Sequence, residues 1–286
     1  MRQVSVAEPA VVIPGAIDSH AHVMRVDLPL AAGRHSAPKR DVSVDDYLAV
    51  LDAHGIARGL LTAPSFYGTD NSLLLATLAA HPDRLRGTAI VAPDTRPEVL
   101  AAMGRQGVVG IRLNWAKRAE LPDIDSADYR RLLAAVRDLG WHVEIYLEGP
   151  KLAAVLPRLR AAGVAVVVDH FAAPDPALGT SDAGFRAAQA GVRAGDTWVK
   201  LSAPYRLGGA DPQRYVDALL AAGGPGQLVW GSDFPFVSHE DAITYAQCVA
   251  WIHAWVPDDA TRRTILVDTP ARLFHFDRAA HAALRS

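Results

Sequence analysis

A (β/α)8 barrel of the TIM type is the fold class this sequence predicts, and three observations predict it. Eight short apolar runs rich in Val, Ile, Leu and Ala recur along 286 residues, segments of helical spacing separate them, and ionisable residues stand at the ends of several runs. Such alternation means parallel strands joined by right-handed crossovers, which leaves a barrel or an open doubly wound sheet. Eight units favour the barrel, and no GxGxxG follows an early strand to support the open sheet. No Pro/Ser linker or low-complexity tract marks a boundary, so residues 1–286 read as one domain, close to the roughly 250 residues such barrels need.

Taken in order, the strand candidates are Ala16 to Val23, Gly59 to Ser65, Arg86 to Ala92, Val108 to Trp115, Trp141 to Leu147, Val164 to Phe171, Thr197 to Ala203 and Gln227 to Phe234. Each is a short apolar run bounded by Gly, Pro or polar residues, as a strand buried on both faces requires. Between them, Val44 to His54, Asn71 to Ala80, Asp128 to Leu139 and Pro212 to Ala222 carry apolar residues at helical spacing. The longest irregular stretches, Asp27 to Ser43 and Ala172 to Ala183, both follow strands, where a barrel builds its site.

Composition narrows the partners. Half the residues are hydrophobic and 21% are charged, so there is ample apolar surface to bury. A formal net charge of −2 gives no electrostatic reason for a nucleic-acid or anionic membrane partner, which leaves a small molecule. One cysteine, Cys248, excludes an intrachain disulfide and a CxxC metal site and suits a reducing compartment, the cytoplasm. Met1 to Pro14 lacks the continuous apolar core of a signal peptide, and no stretch reaches the roughly 18 apolar residues of a membrane span. Oligomeric state is not legible.

The sharpest chemical signal is His20 and His22 on the first strand, because residues two apart on a strand point the same way and place both imidazoles inside the barrel. Alone, a His-x-His pair is weak and is as often structural. Its context strengthens it: VVVDH at 166–170 and VWGSDFP at 229–235 each put an ionisable group after an apolar run, where the carboxyl rim of a barrel would be. His20, His22, His170 and Asp233 would then converge. Two chemistries follow: neutral imidazoles and a carboxylate can bind a divalent metal whose water becomes the nucleophile, or the aspartate is the base on water while imidazoles polarise a carbonyl.

These pieces, with PSFYGTDN at 64–71, RLRG at 84–87, GVVGIRL at 107–113, GWHV at 140–143, VKLS at 199–202 and Tyr205-Arg206, resemble one family over nearly the whole chain. It is the family 2 branch of the amidohydrolase superfamily, which holds 2-pyrone-4,6-dicarboxylate lactonases and related sugar-lactone and sulfomuconolactone hydrolases. The resemblance implies a barrel with His20, His22, His170 and Asp233 at the reacting centre and Asp233 as general base. Where metal-dependent relatives end a strand in a further histidine ligand, this chain offers Tyr146 at the end of HVEIY, as metal-free lactonases do. The expected reaction therefore requires no cofactor, with one divalent zinc or manganese ion on His20, His22, His170 and Asp233 as the alternative. A second departure is Phe234-Pro235-Phe236, where relatives often carry Trp-Pro-His.

Arg112 lies on an otherwise apolar strand and Arg206 closes a strand-end segment. A guanidinium matches a carboxylate in two-point contact, and a buried one needs such a partner, either a ligand or a protein acid such as Asp94 or Glu144. The lactonase resemblance favours the ligand, hence an anionic substrate. Ser65 and Tyr67 are candidate hydrogen-bond donors to it, whereas Asn71 reads as a helix cap. Arg34, His35, Lys39 and Arg40 read as solvated surface, Trp115 as a wall of the site or core, and His54, His81, His142, His239, His253, His275 and His281 offer no usable spacing. The expectation is a hydrolase that opens the ring ester of a carboxylated lactone, with His20, His22 and His170 steadying the oxyanion and Tyr146 adding a hydrogen bond. A metal-dependent decarboxylase or hydrolase of an aromatic or muconate-type acid, and a non-catalytic binding barrel, are the alternatives.

Overall fold

The structure is a computed structural model that describes residues 13–34 and 36–277. Most of the N-terminal stretch, His35 and His281 lie outside the described residues. Eight strands form one parallel sheet in sequence order: β1 (Ile17–Ala21), β2 (Arg58–Thr62), β3 (Leu85–Ala89), β4 (Val108–Asn114), β5 (His142–Tyr146), β6 (Ala165–Val168), β7 (Thr197–Leu201) and β8 (Leu228–Trp230). The sheet closes where His22 N donates to the Phe234 carbonyl (2.8 Å) and Asp233 N to the His20 carbonyl (2.9 Å). The predicted barrel is the observed one.

Helices α1 (Val44–Ala53), α2 (Ser72–Ala80), α3 (Pro97–Arg105), α4 (Ala127–Asp138), α5 (Gly149–Ala161), α6 (Ala183–Ala194), α7 (Pro212–Gly223) and α8 (Tyr245–Trp255) alternate with the strands. Local chemistry explains their limits. Ser43 and Asp46 form a reciprocal capping box at α1, and Asp211 caps α7 with Pro212 in its first turn. On α4, Tyr129, Leu132, Leu133 and Val136 make the buried stripe that the i, i+3, i+4, i+7 spacing requires. Asn71 precedes α2 but does not cap it; its amide instead bonds Ile90 N (3.2 Å), Ile90 O (2.8 Å) and Thr69 O (3.0 Å), tying two strand-end loops together.

Every predicted strand runs on past its ladder at the carboxyl end, by one to four residues. The chain stays apolar there while the backbone turns away: 3-10 turns follow at Ser65–Tyr67, His170–Ala172 and Pro204–Arg206, and His170, Phe171, Ala172, Ala173, Ala203 and Asp233 all have positive φ. At the opposite end Phe274 and Phe276, both fully buried, plug the barrel against Ile17, Leu60, Val109, Val167 and Val229. Each such ring contributes about 1.5–3 kcal/mol of burial, and together they close the barrel interior at its amino end among the described residues.

Candidate active site

The strand ends bring His20, His22, His170 and Asp233 together. Oδ1 of Asp233 faces Nε2 of His20 at 3.5 Å, of His22 at 3.8 Å and of His170 at 3.8 Å. All four residues are buried. Asp233 and His170 hold left-handed backbone angles (φ 64° and 50°), strain of about 1 kcal/mol or more each that aims their side chains inward. A register shift in β1 between Asp18 and Ala21 puts Ile17 in the barrel's apolar plug and His20 in its polar centre although they are three apart. Asp18 turns the other way, accepting bonds from Ser232 N (2.8 Å), Ser232 Oγ (2.6 Å) and Tyr245 Oη (3.0 Å), and so fixes β8 beside β1.

The other oxygen of Asp233, Oδ2, accepts from Tyr205 Oη (2.6 Å) and from Nη2 (2.9 Å) and Nε (3.1 Å) of Arg206. Burial pushes the Asp233 carboxyl up, but the Arg206 guanidinium, the largest opposing cause, holds it well below the usual carboxylate range, so it is ionised. Burial likewise lowers His20, with Lys200 adding to it, and brings His170 down to about 4 against the pull of Asp233 and Asp169; both rings are neutral at pH 7. Burial raises the Tyr146 and Tyr205 hydroxyls, which stay protonated donors.

His22 is pinned differently from the sequence expectation. Its Nδ1 lies 2.7 Å from the Thr62 carbonyl, which can only accept, so Nδ1 carries the proton and a neutral His22 turns a lone pair from Nε2 toward Asp233. It therefore suits holding a water hydrogen or a cation rather than an oxyanion. His170 Nδ1 shares a hydrogen bond with Ser202 Oγ (2.8 Å).

An open cavity of about 170 Å³ leads to this centre, lined by His22, Ser36, Ser65, Arg112, Asn114, Lys117, Tyr146, His170, Arg206, Asp233 and His239 among others. Ser65 and Tyr146 thus stand where they were expected. Tyr67 does not: its hydroxyl donates to the Arg25 carbonyl (2.5 Å) and accepts from Arg25 N (2.7 Å), bracing the loop after β1 outside the cavity. Arg112 lines the cavity, yet Nη2 donates to Asp169 Oδ2 (3.1 Å) and Nη1 to the Ala63 carbonyl (3.0 Å), and Nε forms an ion pair with Glu144 Oε1 (3.1 Å) without a hydrogen bond. It is the protein-paired arginine, with Asp169 rather than Asp94 as the second acid. Arg206 keeps Nη1 without a partner among the described residues, as does the Lys117 ammonium, and these are the cations offered to a ligand. Trp115 packs edge-on against Tyr129 in the core, Phe236 against Phe234, and Lys39 pairs with Glu240 at the surface. Lys117 and Asn114 were not singled out by sequence reasoning, Tyr205 stood there only within the family motif, and His239 was set aside for want of a usable spacing.

His20, His22 and Asp233 offer ligand atoms within 4.8 Å of one another, as do His20, Asp169 and His170. Two features fit a divalent cation: the His22 lone pair, fixed by a carbonyl behind it, and the buried His20 Nε2, which has no hydrogen-bond partner.

The model of the amidohydrolase family matches residues 17–276. A 4-sulfomuconolactone hydrolase of Hydrogenophaga intermedia is 27% identical over 271 residues, 91% of this chain and 89% of that protein. A solved structure from Acinetobacter baumannii, named as a probable 2-pyrone-4,6-dicarboxylic acid hydrolase with citric acid bound, is 33% identical with a TM-score of 0.83, over 91% of this chain and 99% of that one. An amidohydrolase from Burkholderia multivorans with bound zinc shares the fold at 22% identity and a TM-score of 0.73, over 91% and 99% of the two chains.

Proposed function

The chain belongs to the amidohydrolase family, and from that premise we propose that it is a hydrolase that opens the ring ester of a carboxylated lactone by water activated at Asp233. The carrying observation is the ionised Asp233 carboxylate, one oxygen fixed by Tyr205 and Arg206 and the other facing three imidazoles across the cavity floor. The lactonase names of the relatives support the bond type, and a tricarboxylate bound in one of them supports an anionic ligand. No helix among the described residues is long and apolar enough to cross a membrane, and the buried free thiol of Cys248 supports a reducing, cytoplasmic setting for this single barrel.

In this reading a water lies between Asp233 Oδ1 and the Nε2 lone pair of His22. Its oxygen adds to the lactone carbonyl as its proton passes to Oδ1. The carbonyl π electrons become an oxyanion, which donors on the His20, His170 and Tyr146 side stabilise. Collapse breaks the ring C–O bond, and the departing ring oxygen takes the proton back from Asp233. Arg206 Nη1 and Lys117 hold the acid groups so that the carbonyl faces the water.

A metal reading is favoured by the ligand spacing and by the zinc in the Burkholderia protein. His22, His170 and Asp233, with His20, would hold the ion, which when bound supplies Lewis acidity and lowers the pKa of a coordinated water.

The test is hydrolysis of a panel of carboxylated and sugar lactones by purified, metal-analysed protein alongside Asp233→Asn. Turnover of an anionic lactone without metal, abolished by the substitution, is the expected result. Turnover that appears only on adding zinc or manganese gives the second reading, and none in either state sinks the lactonase.

A further inference from the structure

We propose that Lys200 is a positioning residue that fixes the proton of His20 on Nε2 and so turns a hydrogen-bond donor toward Asp233 Oδ1. The inference rests on the metal-free form of the proposed reaction. Lys200 lies on β7, wholly buried beneath the site, and touches no cavity surface. Its Nζ has three acceptors around it: Glu144 Oε2 at 2.6 Å, His20 Nδ1 at 3.0 Å and Asp169 Oδ1 at 3.2 Å. Only the first two are hydrogen bonds, the third being an ion pair, and an ammonium has no lone pair, so the bond to His20 Nδ1 can run in one direction only.

The contacts of Lys200 match a cation between two acids. Glu144 and Asp169 are two buried acids, Arg112 pairs with both, and Lys200 is the second cation that makes the group neutral. The competing arrangement has His20 Nδ1 donating to Asp169 Oδ1, but that separation is longer, 3.4 Å, and it points two donors at each other along the Lys200–His20 line. A neutral ring that accepts at Nδ1 carries its hydrogen on Nε2. That atom is fully buried, has no hydrogen-bond partner, and looks across 3.5 Å to Asp233 Oδ1. His20 and His22, two residues apart, are thereby made unlike: a carbonyl leaves His22 a lone pair for the water, and Lys200 leaves His20 an N–H that faces Asp233 Oδ1.

The experiment is NMR of histidine-labelled, metal-free protein, with the His20 ring signals assigned by their loss in His20→Gln. The native ring nitrogens and Cδ2 are expected to show the Nε2–H tautomer. In Glu144→Gln/Lys200→Met, which keeps the buried charges balanced, the ring is expected to switch to Nδ1–H, donated to Asp169, with kcat on the lactone down about tenfold to a hundredfold and KM little changed. A native His20 with its proton on Nδ1, or a folded double variant in which the tautomer does not move, overturns the inference. If the variant fails to fold, the native spectrum alone decides. An Nε2–H ring in a protein that hydrolyses no lactone removes the reaction while the placement of the proton stands.

Discussion

Arg206 serves two partners whose demands differ. One edge of its guanidinium, Nε and Nη2, grips Asp233 Oδ2, and Nη1 remains for a ligand carboxylate. Arg206→Gln is expected to raise KM for an anionic lactone about 10–100-fold, the worth of a charge-assisted contact, while KM for an uncharged lactone moves little. Equal losses on both substrates would show that Arg206 acts only through Asp233. Asp233→Asn is expected to lower kcat about 10²–10⁴-fold with the melting temperature nearly unchanged, because asparagine tolerates the left-handed backbone and its oxygen still accepts from Tyr205. The four converging residues were legible because ionisable side chains at the ends of apolar runs have few other uses. Lys200 was written into VKLS as plainly as Arg112 into GIRL, but a lone lysine carries no partner in its own segment. Its acids lie 31 residues back in sequence at Asp169 and further at Glu144, and only the closed barrel shows them together. Tyr67 misled for the same reason in reverse, since a tyrosine after a strand reads alike whether its hydroxyl meets a ligand or a loop carbonyl.

At the level of the element, β1 and β8 must approach closely for His20 to face Asp233. Gly231 permits it: a Cβ there would lie 2.6 Å from His20 Cβ and 2.9 Å from its backbone nitrogen, so the glycine is needed for space and not for its backbone angles. Gly231→Ala is expected to push the strands apart by a few tenths of an ångström or more and to cut kcat/KM by about 100-fold, far beyond its effect on the urea midpoint, because the reacting groups tolerate little misplacement. Activity within about threefold of the parent would show that the β1–β8 spacing is slack. The alternation of β1 predicted both imidazoles inward and was right, but it gave no sign of the register shift after Asp18, which depends on Ser232 and Tyr245 from the far end of the chain.

For the whole molecule, the barrel was legible because eight apolar runs alternate with helical segments, whereas the strand ends were not, since apolar residues continue after the ladder has stopped and the backbone turns to build the site. The polar centre of that barrel has a consequence for stability. His142 was without assignment from sequence; it sits inside the barrel where Gly110 leaves room for its ring, 3.3 Å from Thr88 Oγ1 and edge-on to Phe274. Burial first, then Lys200 and His275, bring its pKa down to about 3, and His170 falls to about 4. Both groups titrate near 6.5 once unfolded. Below that value the unfolded chain takes up protons that the native barrel refuses, so stability is fully present above about pH 6.5 and is lost as pH falls toward 4 and then 3. At about 1.4 kcal/mol per pH unit for each proton, the full effect is on the order of 5 kcal/mol for His142 and 3.5 kcal/mol for His170. Urea unfolding between pH 7 and 4.5 should therefore show a steep fall in stability, and His142→Leu should make that slope shallower by close to one proton. The comparison isolates His142, because His20, His170 and the carboxylates are common to both proteins. An unchanged slope in a folded His142→Leu protein would mean that His142 is charged in the native barrel, and that the Lys200, Glu144, Asp169 and Arg112 group beside it is not the neutral set its contacts describe.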